Sequence, residues 1–134
     1  MSPELESVSR LILAAVLGAI IGFQRERAGK PAGLRTHILI AMGSALFTVV
    51  SIYGFGSAAD PSRIAAGIVT GIGFIGAGVI FRGMSGDRVM GITTAASIWI
   101  TAAIGIAAGA GLYIIAAAAA IVTLLVLMIP RAKG

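Results

Sequence analysis

Arg25-Glu26-Arg27-Ala28-Gly29-Lys30-Pro31-Ala32-Gly33-Leu34-Arg35 decides how this chain is built, because it gathers four of the ten basic residues between two long apolar runs. Moving outward from it, one basic residue falls in or before the first run (Arg10), one in the second gap (Arg63) and two in the third (Arg82, Arg88). The fourth gap has none and the tail has two (Arg131, Lys133). Basic residues are retained on the cytoplasmic side of a membrane. Five spans with the N-terminus outside place eight of the ten there, and the reverse orientation places only two. The expectation is an all-α polytopic membrane protein with five transmembrane helices, N-terminus out and C-terminus in.

Composition agrees. Of 134 residues, 58% are hydrophobic and 11% charged, far below the roughly 25% charge of a soluble domain. A span needs about 20 apolar residues, and the runs are 7–23, 38–55, 64–81, 91–110 and 112–129. Ser2-Pro3-Glu4 reads as a cap, a first-turn proline and an acid near a helix start, so the first helix is expected to begin near Pro3. Arg10, inside that run, is expected to snorkel to the outer headgroups. Glu4 and Glu6 stand where a secretory signal carries basic residues, so no cleaved signal is expected. Gly109-Ala110-Gly111 reads as a tight hairpin, Asp60-Pro61 as the start of the third helix, 83–86 as a short inner turn and Pro130 as the end of the fifth helix. Tyr53 and Tyr113 fall where an aromatic belt would lie. A single domain over 1–134 is expected. With no cysteine, disulfide and thiolate chemistry are excluded.

Gly67, Gly71, Gly73, Gly76 and Gly78 crowd the third run. Residues 71–76 match the spacing of a dinucleotide fingerprint, but that motif follows a strand and opens a helix, whereas here it lies inside an apolar span. Small residues four apart instead let helices approach closely in lipid. Gly18 with Gly22, Gly67 with Gly71 and Gly105 with Gly109 are read as such packing pairs, one of them available to a homodimer.

The five-span topology gathers an inner-rim polar cluster: Gln24, Arg25, Glu26, Arg35, Thr36, His37, Arg82, Thr93, Thr94 and Ser97. Thr93, Ser97 and Thr101 are four apart and Thr94 precedes Ser97 by three, which makes one hydroxyl stripe on a helix; such hydroxyls also bond to their own backbone. Arg25, Arg27 and Lys30 read first as anchors on anionic lipid. Arg35 and Arg82 are expected to seek a carboxylate, Glu26 first and Asp87 second, and to staple the loops or frame an anion site. His37 is the one histidine, so no metal site and no cofactor are expected, while proton sensing stays open.

Gly22-Phe23-Gln24-Arg25-Glu26, Gly33-Leu34-Arg35-Thr36-His37, Gly71-Ile72-Gly73-Phe74-Ile75-Gly76-Ala77-Gly78 and Gly91-Ile92-Thr93-Thr94-Ala95-Ala96 with Trp99 together resemble the membrane domain of the MgtC/SapB family. The resemblance runs from about Gly18 to Tyr113. It implies a bacterial inner-membrane protein tied to adaptation to low magnesium and, in pathogens, to survival inside macrophages. Relatives are associated with modulating the ATP synthase and with binding other membrane proteins. The chain departs from many relatives at Gln24, where they have Glu, and at Met90, where they have a basic residue. Virulence-type relatives continue into a cytoplasmic domain resembling ACT modules, so the chain reads either as a short SapB-type form or as a piece of a longer protein.

Two functions are weighed. One is a non-enzymatic regulator acting through contacts with other membrane proteins or with itself. The other is a small channel or transporter for magnesium or another ion, lined by the hydroxyl stripe and the glycine-rich helix. The first is favoured, because Glu4, Glu6, Glu26, Asp60 and Asp87 all fall at or outside span ends and magnesium passage relies on oxygen ligands such as carboxylates. No nucleophile and base pair suggests an enzyme. Expected partners are the bilayer and a second copy, with no nucleic acid.

Overall fold

A computed structural model describes residues 2–84, 86 and 88–130. Five α-helices follow one another: α1 Pro3–Arg27, α2 Leu34–Tyr53, α3 Ser62–Gly83, α4 Ile92–Gly109 and α5 Tyr113–Leu127. The Ser2 hydroxyl accepts the Leu5 N–H at 3.2 Å and caps α1, as Ser2-Pro3 predicts. Just ahead of α3, whose cap position is Pro61, Asp60 closes a turn: its Oδ1 accepts from both the N–H and the hydroxyl of Ser62. Those bonds hold the Asp60 carboxyl below the usual carboxylate range. Gly111 turns the hairpin between α4 and α5 with φ +84°, a conformation glycine adopts at no steric cost.

Four helices, α1 to α4, are long and apolar enough to cross a membrane; α5 is apolar but has 15 residues. At 1.5 Å per residue it reaches about 22 Å, short of the roughly 30 Å hydrocarbon core. The fifth expected span is therefore shorter than its apolar run, which loses Leu112 to the turn and its last residues to an irregular end.

α1, α2 and α4 pack mutually, α5 seats against α1 and α4, and α3 leans on α4 while touching α2 lightly. One core joins Ala14, Leu17 and Ile21 of α1 to Ala41 and Ala45 of α2, Ile104 and Ala108 of α4 and Ala116 and Ala120 of α5. A smaller one joins Ile68 and Ile72 of α3 to Ile98 and Ala102 of α4. The larger core is mostly alanine around Leu17, Ile21 and Ile104, while many bulky residues point outward: Phe74 is 84% exposed, Ile114 85% and Phe81 76%. A chain that turns its bulkiest apolar side chains out is suited to an apolar solvent.

Alanine and glycine in the core allow backbone contact. A methyl group at Gly18 would lie 2.5 Å from the His37 carbonyl oxygen, and one at Gly109 would lie 2.7 Å from that of Ala45. Gly22 meets Gly33 and Leu34, and Gly105 meets Ala41 and Ser44, equally closely. Two of the three glycine pairs thus grip α2 from opposite neighbours, α1 and α4. The third does not pack within the chain: Gly67, Gly71, Gly73 and Gly78 face open space, and of the five glycines crowded in that run only Gly76 approaches a neighbour, Ala95. Residues 71–76 lie inside α3, with no strand before them among the described residues, so the fingerprint spacing has no dinucleotide-binding context.

Candidate functional site: a buried arginine and histidine at one end of the bundle

The buried face of α1 reads Arg10, Ala14, Leu17, Gly18, Ile21, Gly22, Arg25. These positions recur every three or four residues, as one face of a helix must. The same stripe that carries the close-packing glycines therefore carries an arginine at each end into the bundle. Arg25 is 4% exposed and Arg10 7%.

Arg25 donates through Nη2 to the Thr94 hydroxyl at the start of α4, and its Nε is buried with no partner. Among the described residues the one ion pair is that of Arg10 with Glu6, so no carboxylate there neutralises Arg25. Beside it, His37 is completely buried. Its Nδ1 lies 2.9 Å from the Gly33 carbonyl oxygen and its Nε2 lies 3.0 Å from the Ser97 hydroxyl. Ser97 in turn lies 2.7 Å from the Thr94 carbonyl oxygen, and the Thr101 hydroxyl donates to the Ser97 carbonyl at 2.6 Å. Arg25, His37, Thr94 and Ser97 thus form one connected polar unit joining α1, α2 and α4.

This is narrower than the inner-rim cluster read from sequence. Arg35, Thr36, Arg82 and Thr93 are exposed, so the expected meeting of Arg35, Arg82, Glu26 and Thr93 does not occur. The reason is helix rotation. α2 buries His37, Ala41, Ser44, Ala45 and Thr48, a face that excludes positions 35 and 36. α4 buries Thr94, Ser97 and Thr101, which leaves Thr93 on the outside and makes Thr94 the head of the hydroxyl stripe. Glu26, itself exposed, accepts the Leu34 N–H at 3.3 Å at the start of α2 instead of pairing with an arginine. Asp87, the second expected carboxylate, lies outside the described residues. Gln24 points another way: its Nε2 donates to the Leu127 carbonyl of α5 at 3.4 Å, and its Oε1 is buried without a partner. Arg27 lies over the Phe23 ring, 5.7 Å from its centre, and remains exposed as an anchor would be. Arg25 does not behave as one. The signal that could have found it is its spacing of three, four and seven from Gly22, Ile21 and Gly18.

At the other end Arg10 is turned inward, where sequence suggested that it snorkels outward. It donates to the Gly109 carbonyl (Nη1, 3.0 Å), the Tyr113 hydroxyl (Nε, 3.2 Å) and Glu6 (Nη2, 2.9 Å), and it sits 5.6 Å from the centre of the Tyr53 ring. The two tyrosines expected in a belt are thus the walls of an arginine clasp joining α1, α2, α4 and α5. Among the described residues no three of His, Cys, Asp or Glu converge as a metal site would require.

A bundle of small-residue helices clasped by arginines at both ends defines a helical protein of membrane type, and comparison with known proteins gives its family. The model of the MgtC family matches residues 11–133, and the chain belongs to that family. It is 53% identical to YhiD of Escherichia coli K12, whose name marks it as a candidate magnesium transporter, over 91% of this chain and 59% of YhiD. It is 49% identical to protein SrpB of Synechococcus elongatus over 78% of this chain and 63% of SrpB. It is 45% identical to protein MgtC of Brucella abortus over 89% of this chain and 49% of that protein. The chain therefore spans about half to two thirds of the length of these curated relatives. No solved structure matches it.

Proposed function

We propose that this chain is a membrane-embedded helical module of the bacterial inner membrane that is not an enzyme and acts by contact with other membrane proteins or with a second copy of itself. The observation that carries this reading is the charge and closeness of the bundle interior. The α1, α2 and α4 core is shut by glycine contacts to backbone, and the charged groups buried at its two ends are both arginines. A magnesium ion needs several oxygen ligands and keeps its water reluctantly. A path along this core would offer it a cation at each end and no space between.

A channel lined jointly by the hydroxyl stripe and the glycine-rich helix is also disfavoured. Thr94 and Ser97 are buried against Arg25 of α1 and His37 of α2, whereas Gly67 and Gly71 line an apolar groove between α2 and α3 that none of the stripe's hydroxyls reaches, and Gly73 and Gly78 have no neighbour within reach. The two do not line a common path. The open glycine face of α3 is the surface we assign to helix association, because close backbone approach is what small residues supply between helices in lipid. The orientation that goes with this reading is N-terminus out and C-terminus in, on the eight-to-two division of basic residues.

Purified protein in liposomes loaded with a magnesium-sensitive dye tests it. Silent vesicles under an imposed gradient are expected. Saturable uptake that scales with protein would overturn the reading, whatever relatives are named for.

A further inference from the structure

We infer that His37, Ser97 and Thr94 form a buried proton-binding site, occupied by a proton on His37 and linked through Thr94 to the Arg25 bond. The inference goes beyond the proposed function and rests on counting hydrogens. Three contacts run in sequence: Gly33 carbonyl oxygen to His37 Nδ1, His37 Nε2 to Ser97 Oγ, and Ser97 Oγ to the Thr94 carbonyl oxygen. The two ends are carbonyls, which only accept. Three hydrogen bonds in this row need three hydrogens. A neutral imidazole brings one and the serine hydroxyl one, so one contact must go without. An imidazolium brings two, and every contact is then made: Nδ1–H to Gly33, Nε2–H to Ser97 and the Ser97 hydroxyl to Thr94.

With His37 neutral, the Gly33 carbonyl keeps the hydrogen on Nδ1, and the Ser97 hydroxyl must choose. If it turns to Nε2, two oxygens 2.7 Å apart are left without a hydrogen between them. If it stays on Thr94, the Nε2 lone pair faces the hydroxyl oxygen inside a fully buried site. Either arrangement is costly where water cannot compensate. Proton uptake from bulk water removes this mismatch and adds a second positive charge beside Arg25.

Arg25 on α1 is the charged neighbour of His37. Glu26, in the last turn of α1, is exposed and engaged with the Leu34 N–H. α4 faces His37 with the hydroxyls of Thr94 and Ser97. The charged residues of α3, Arg63 and Arg82, are exposed at its ends, and α5 does not touch α2. The competition is therefore between the completed hydrogen-bond row and two opposing costs, the burial of a charged imidazole away from water and its repulsion from a guanidinium that already lacks a partner at Nε. A proton on His37 weakens the hold of Thr94 on Arg25, and proton occupancy is read out where α1 ends and α4 begins.

Because the chain has one histidine, nitrogen NMR of the full chain labelled with 15N-histidine, in nanodiscs and purified by a histidine-free tag, reports this ring alone. At alkaline pH the hydrogen is expected on Nδ1, the reverse of the tautomer that free histidine prefers, and on acidification both nitrogens become protonated while the protein stays folded. Ser97→Ala removes the acceptor of the second hydrogen and should move the midpoint down by about half to one pH unit, the worth of one net hydrogen bond. Arg25→Met removes the like charge and should move it up, and it carries the test if Ser97→Ala does not fold. An Nε2–H tautomer at alkaline pH, no titration in the folded protein, or a midpoint that neither variant moves would overturn the assignment.

Discussion

The guanidinium of Arg10 donates to the carbonyl of Gly109 at 3.0 Å across ninety-nine positions of sequence, so the second turn of the first helix closes the last turn of the fourth. Orphan carbonyls at a helix C-terminus need donors, and here a side chain from another helix supplies one while its other nitrogens engage Glu6 and Tyr113.

Replacing that clasp should therefore cost more than removing an exposed charge. Arg10→Ala is expected to destabilise by about 2 to 3 kcal/mol, since a buried charge-assisted network is lost. Arg63→Ala, at an exposed site, should stay within about 0.5 kcal/mol. Unfolding in mild detergent followed by circular dichroism compares them, and equal losses would refute the clasp.

Arg25 should behave in the opposite sense. An apolar replacement of a buried ion is often neutral or stabilising, whereas taking away its partner is costly. Arg25→Met is expected to leave stability unchanged or raised, while Thr94→Val, which strips the guanidinium of its hydroxyl, should cost about 3 kcal/mol. A stability ranking with Arg25→Met as the worse variant would contradict the burial of an unneutralised arginine.

Glycines of identical spacing should differ by position. A methyl at Gly105 meets the backbone of Ala41, whereas one at Gly71 meets nothing. Gly105→Ala should lose about 1 to 3 kcal/mol by overpacking, and Gly71→Ala should gain up to about 1 kcal/mol in the folded monomer from the lower backbone entropy of alanine. If α3 is an association face, Gly71→Leu lowers self-association in crosslinking experiments while thermal stability is retained.

For orientation, single cysteines in two exposed loops give a direct reading. With the N-terminus outside, an impermeant thiol reagent applied to intact cells should label Ser57→Cys and spare Lys30→Cys. The reverse pattern would invert the proposed topology.

Helix number and most boundaries were legible because they depend on local signals. The Ser2 cap, the Asp60-Pro61 start and the Gly111 turn all lie where composition put them. The site was legible only in part. His37, Thr94 and Ser97 were among the expected residues and do meet. Arg35, Arg82 and Thr93 were chosen for lying at the right end of a span, which says nothing about the direction a side chain takes around the helix axis. Rotation is set by the buried stripe, and on α1 that stripe runs through Gly18 and Gly22 to Arg25. The open glycines of α3 were not foreseeable from spacing, because the same four-residue interval occurs in the pairs that pack and in the pair that does not.

α2 presents the carbonyl oxygens of His37, Ala41 and Ala45 to glycines of two different neighbours. A helix held this way behaves like a bolt in two detents. Partial sliding would drive its backbone into Cα atoms on both sides, so the small steps open to it are none, and the first free one is a full turn of about 5.4 Å. Motion transmitted through α2 must then come as a whole-turn jump or as a pivot about its ends, and one of those ends carries His37.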